Sequence, residues 1–142
     1  MPLAGYSGTP LVQKLGIKSG HRVLLVHAPA DFADDELVGL PADVHVSTRA
    51  SGSAYDVIVF FTKSMADLSK RFPGLVQRLA TSGGLWVAWP KKSSGMATDL
   101  NDNTVREYGL STGLVDNKIC AVTEVWSGQR FVIRLADRAR NA

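Results

Sequence analysis

The chain reads as an α/β domain in three layers: a mostly parallel sheet with helices on both faces, ending in an antiparallel hairpin. Three observations carry that reading. Arg22–His27, Asp56–Phe61 and Leu85–Trp89 are apolar runs without polar alternation, as expected of strands covered on both faces. Stretches with helical periodicity or helix stop signals lie between them. Two further β-rich stretches, Lys118–Trp126 and Gln129–Leu135, are separated only by Ser127-Gly128, a hairpin signal. Right-handed crossovers then place the strands, numbered along the chain, in the order 2-1-3-4-6-5.

Taken in order, Thr9-Pro10 gives an N-cap followed by proline at the first helical position, where its missing N–H costs nothing. Leu11, Val12 and Leu15 form the apolar stripe of a short helix, and Gly16 is its stop. After the first strand, Asp31–Val38 is an acidic-start helix ended near Gly39 and Pro41. Val44–Ser47 alternates, as an edge strand does, and a small-residue loop, Ala50–Ala54, leads into the third strand. Ser64 is an N-cap with Asp67 at N3, and Met65, Leu68, Phe72, Leu75, Val76 and Leu79 share one helical face. Pro73 is expected to kink or split that helix. Ser82-Gly83-Gly84 introduces the fourth strand, on which Trp86 and Trp89 point to opposite faces. Asn101 caps a helix over Asp102–Thr112, stapled by Leu100 and Val105 and stopped by Gly113. The first eight residues and the polar tail from Asp137 to Ala142 are expected to be flexible ends of a single domain.

Composition narrows the function classes. Of 142 residues, 45% are hydrophobic and 20% charged, ordinary for a globular domain with a proper core. One cysteine, Cys120, excludes an internal disulfide framework and fits a reducing compartment. No stretch reads as a secretory leader or membrane span, so the expected location is the cytoplasm. A net charge of +3 with a pI near 9.2 is mildly basic, but no nucleic-acid-binding motif accompanies it. His21, His27, His45 and Cys120 show no zinc-site spacing, so no metal is expected.

Two places carry candidate chemistry. Pro90 ends pairing of the fourth strand, and Lys91-Lys92-Ser93-Ser94-Gly95 follow where ligands sit in open α/β sheets. Lys91, Lys92 and Ser93, with Lys63 from the neighbouring strand end, are candidate ligands for a small anion. His27 ends a central strand at the point where chain direction reverses across the sheet, and imidazole is the side chain most suited to acid/base work near neutral pH. It is the one candidate acid/base residue.

The pattern resembles a shortened class I methyltransferase domain, a Rossmann-like fold ending in an antiparallel hairpin. Gly83-Gly84 and Ser127–Val132 fit that shape. More narrowly, GYSGTPL at 5–11, WVAWPKKSSG at 86–95, TDL at 98–100, GLVDNKICAV at 113–122 and WSGQRFV at 126–132 resemble a bacterial family of uncharacterised short proteins. That resemblance spans nearly the whole chain and implies the fold rather than an activity.

Methyltransferases place a glycine-rich turn after the first strand, where backbone approaches S-adenosylmethionine closely, and a carboxylate after the second. Here those positions read His27-Ala28-Pro29-Ala30-Asp31 and Ser47-Thr48-Arg49. The expectation is therefore that no cofactor, S-adenosylmethionine included, is held in the usual way. The preferred function is a non-catalytic or vestigial binding domain for a small anionic ligand or acidic protein partner at the Lys91-Lys92 loop. The alternative is a divergent methyltransferase, or another small-molecule enzyme, working in the strand-end crevice around His27. A third reading has the exposed hairpin edge pairing with a second copy as a homodimer.

Overall fold

A computed structural model describes residues 9–52 and 54–138. Six strands form one sheet: β1 (Arg22–Val26), β2 (His45–Ser47), β3 (Tyr55–Phe61), β4 (Leu79–Pro90), β5 (Val115–Ala121) and β6 (Trp126–Val132). Their order is β2-β1-β3-β4-β6-β5, the order expected from the sequence. The first four run parallel, and β6 is antiparallel to both β4 and β5. Helices α1 (Leu11–Leu15) and α2 (Phe32–Glu36) cover one face; α3 (Met65–Gln77) and α4 (Asp102–Ser111) cover the other. A short helix α5 (Leu135–Arg138) ends the described chain, so the tail expected to be flexible from Asp137 begins as helix there. The rest of that tail and residues 1–8, with most of the GYSGTPL motif, lie outside the described residues.

The two faces of the sheet bury two separate cores, and β4 supplies both. Trp86 is fully buried on the α1–α2 side, where its indole N–H donates to the carbonyl of Leu15 at 3.2 Å. Trp89 is buried on the α3–α4 side with Leu85 and Val87. Strand alternation alone puts them on opposite faces, as expected.

Three expectations are corrected. First, β4 begins at Leu79, so Ser82-Gly83-Gly84 lies within the strand instead of introducing it. These glycines answer a space requirement: a Cβ on Gly83 would meet the carbonyls of Tyr55 and Asp56, and one on Gly84 would overlap the Arg130 guanidinium. Second, the hairpin turn falls at residues 122–125, not at Ser127-Gly128. The Thr123 hydroxyl accepts from the N–H groups of Val125 and Trp126, which builds the turn. Gly128 sits in β6 because a Cβ there would strike Val122 and press on the Trp86 ring. Third, of the two outcomes expected at Pro73, the split does not occur: α3 runs through it as one helix. The Ser69 carbonyl, which a residue-73 N–H would otherwise serve, accepts a long 3.5 Å contact from the Tyr108 hydroxyl.

Helix starts follow the sequence closely. The Asn101 side chain accepts from the Thr104 N–H and the Thr104 hydroxyl accepts from the Asn101 N–H, a reciprocal box. Leu100 and Val105 are buried on either side of that cap. The Ser64 hydroxyl accepts from the Asp67 N–H, as expected at α3. At α1, however, Pro10 itself stands in the N-cap position, and its side chain makes no cap bond. No helix among the described residues is long and apolar enough to cross a membrane.

Candidate functional site

The parallel strands end together along one rim of the sheet. Because α2 leaves β1 toward one face and α3 leaves β3 toward the other, a crevice opens between the ends of those strands. His27 stands at that point. Its φ is +57°, a left-handed conformation uncommon outside glycine, and it turns the chain sharply off β1. Its ring stacks edge-on against Phe60 at 6.2 Å and is about half exposed.

Asp67, in the first turn of α3, faces His27: its carboxylate lies 3.9 Å from the imidazole Nδ1. The same carboxylate accepts from the Thr62 hydroxyl at 2.7 Å and from the Arg71 Nε at 2.8 Å. Burial pushes its carboxyl up, but those two hydrogen bonds and the charges of Arg71 and His27 outweigh it, leaving the pKa below the ordinary aspartate value. Asp67 is therefore a fixed negative charge on the Nδ1 side of His27. The sequence pointed to Asp67 only as an N3 helix residue. Its side chain instead turns back to the strand end, and the short spacing from Thr62 to Asp67 was the one signal available.

Beside this cluster lies a cavity of about 720 Å³, lined by Val26, His27, Thr48 and Ala50 on the strand side and by Lys70, Arg71, Leu75 and Arg78 from α3 and its end. Among the described residues the connection from β2 to β3 contains no helix, so the wall opposite α3 is the loop carrying Thr48 and Ala50.

Lys91 and Lys92 lie elsewhere. They line a second cavity of about 630 Å³ at the end of β4, Lys91 half-buried and Lys92 exposed. Ser93 is exposed in a 3-10 turn (Lys92–Ser94) and is not part of that wall. Lys63 is exposed, and its carbonyl accepts from the Thr98 hydroxyl at 2.6 Å, which ties the β3 end to the loop beyond Lys92. The structure thus separates two groups that the sequence left side by side. Cys120 is half-buried in β5, and burial pushes its thiol up, away from nucleophilic use. Among the described residues no cluster of three or more histidine, cysteine or carboxylate groups is arranged to hold a metal.

No family model matches the chain, and no curated protein matches it. Solved structures do. A SAM-dependent methyltransferase from Aquifex aeolicus aligns with a TM-score of 0.60 at 14% identity, covering 87% of this chain and 88% of the other. DhpI in its SAH complex aligns at 0.59 and 10% identity, over 89% and 83% of the two chains. The magnesium protoporphyrin IX methyltransferase of Synechocystis PCC 6803, solved with bound SAM, aligns at 0.56 and 9% identity, over 87% and 74%. The fold is methyltransferase-like. Identities this low carry the fold alone.

These neighbours overturn the expectation that no adenosyl cofactor belongs with this chain, since similar structures are solved with SAM or SAH bound. The grounds for that expectation were the missing carboxylate after the second strand, where Ser47-Thr48-Arg49 stand, and the missing glycine after the first. The turn there reaches positive φ without one, at His27.

Proposed function

We propose that the protein is a divergent methyltransferase that holds an adenosyl cofactor in the strand-end crevice and uses His27 as its acid/base residue. One observation carries the reading. In a methyltransferase-like sheet, the crevice holds a histidine with a fixed carboxylate at Nδ1, beside an open cavity of ligand size.

The lining suits the group. Val26, Ala50 and Leu75 offer apolar surface for a base, and the Thr48 hydroxyl can accept from or donate to ribose hydroxyls. Lys70 and Arg78 supply positive charge for an amino-acid carboxylate. When bound, S-adenosylmethionine supplies an electrophilic methyl group. The chain's own part is to orient an acceptor and to take its departing proton at His27 Nε2, with Asp67 stabilising the imidazolium that results.

The test is calorimetric titration with S-adenosylmethionine and S-adenosylhomocysteine. Micromolar binding is expected for both, weakened at least tenfold in Thr48→Val combined with Lys70→Gln. His27→Gly, which keeps the turn accessible, should bind nearly as well as the parent. Absence of binding at millimolar ligand sinks the proposal and returns the weight to a non-catalytic domain.

A further inference from the structure

The cavity at the end of β4 has the composition of a site for an amphipathic anion. Its floor is Trp89 and Leu100, 4% and 5% exposed. Its rim carries Met96, from the loop after β4, and Ile119, from β5, which are 41% and 57% exposed. Large apolar side chains left open to solvent are few among the described residues, and two of them converge here from separate elements.

Charge completes the site. Lys91 and Lys92 line it together with Asp99 and Asp102. By count these charges cancel, but the carboxylates are engaged elsewhere. Asp99 accepts from the Met65 N–H at the start of α3, 2.8 Å away, and Asp102 accepts from the Asn103 N–H in the first turn of α4. Both therefore serve helix N-termini, whose partial positive charge offsets them. The N-terminus of α4 is closed by its own reciprocal box and takes no part. Lys91 and Lys92 thus bring positive charge over an apolar floor, beside two carboxylates that each already accept from a helix N-terminal N–H.

We infer that this cavity binds an oxyanion carried on an apolar body, a carboxylate or phosphate with an aromatic or aliphatic skeleton. The skeleton lies on Trp89, Ile119 and Met96, and the anionic end meets Lys91 and Lys92. This cavity is separate from the His27 crevice, so as a binding site it stands without the methyltransferase reading. The hairpin strand β5 gains a role, since Ile119 closes the wall that β4 begins.

The probe is 1-anilinonaphthalene-8-sulfonate, an oxyanion on an apolar body, compared with its uncharged parent N-phenyl-1-naphthylamine. The expected result is saturable one-to-one binding of the sulfonate with quenching of tryptophan emission. Lys91→Gln with Lys92→Gln should weaken the sulfonate at least tenfold and leave the uncharged probe within twofold. Ile119→Glu, at a site open enough to tolerate it, should weaken both. Should the double-lysine variant lose its cooperative melt, Ile119→Glu and Met96→Ser decide instead. Equal affinity for charged and uncharged probes, or indifference to the substitutions at Lys91, Lys92 and Ile119, overturns the inference. Competition by an arylalkyl carboxylate but not the matching phosphate, or the reverse, tells the two oxyanions apart. Sulfonate binding that persists where S-adenosylhomocysteine fails to bind would remove the methyltransferase reading and leave this site in place.

Discussion

Burial and charge pull the Asp67 carboxyl in opposite directions, and charge wins. Folding lowers its pKa, so Asp67 adds stability at every pH above the unfolded value near 3.8, and that stability is lost as pH falls through the lower folded value. Replacing it with asparagine removes the charge from bonds to Thr62 and Arg71. With the side chain 29% exposed, a loss of about 1 kcal/mol near neutral pH is expected. Asp67→Asn should also lose less stability on acidification than the parent does. Urea melts across the acidic range check both. A variant as acid-sensitive as the parent would show that Asp67 carries none of this dependence. At Trp86 the indole N–H is matched to a single carbonyl, that of Leu15. Trp86→Phe keeps most of the apolar area but leaves that carbonyl unserved, so a loss of about 1–3 kcal/mol in chemical denaturation is expected.

Helix α4 lies so close to β6 that only glycine fits at its crossing point. A Cβ on Gly109 would overlap the Phe131 ring, which is fully buried between the helices and the sheet. Alanine there gains about 1 kcal/mol of helix propensity, against an overpacking cost of about 1–3 kcal/mol. Since Phe131 has no open side to move toward, Gly109→Ala should lower the denaturation midpoint. Helix α3 offers the opposite case. Pro73 is exposed, and the Ser69 carbonyl, deprived of a residue-73 N–H, accepts a long contact from the Tyr108 hydroxyl. Alanine at 73 restores the N–H and removes a penalty of roughly 3 kcal/mol, less about 1 kcal/mol for a more flexible unfolded chain. Pro73→Ala should therefore raise stability by about 2 kcal/mol, read as a higher melting temperature. A fall would mean that Pro73 serves the shape of α3 more than it disturbs it.

Across the molecule, protection should follow position in the sheet. β3 lies between β1 and β4, and Val57–Phe61 are buried on both faces, so their amides should exchange slowest, at the global unfolding rate. β2, three residues at the edge, and α5 should exchange first. Hydrogen-exchange mass spectrometry tests this ordering, and β2 exchanging as slowly as β3 would contradict it. The crevice and the β4 cavity open on the same strand-end rim, so ligands at either should slow exchange in the loops there and leave the centre of β3 unchanged.

The sequence by itself determined the layers, the strand order, the Asn101 and Ser64 caps, the opposite faces of Trp86 and Trp89, and the place of His27 at a strand end. All of these follow from local periodicity, from caps within one turn and from connection rules, which a chain carries in its own order of residues. Only the tertiary structure decided why Gly84, Gly109 and Gly128 are glycines, since their neighbours Arg130, Phe131 and Val122 come from other segments. It also moved the hairpin turn to Thr123, brought Asp67 to His27, parted the Lys91-Lys92 wall from the crevice, and added Ile119 to that wall. The Thr123 turn is a local hydroxyl motif; the other outcomes depend on contacts between separate segments of the chain.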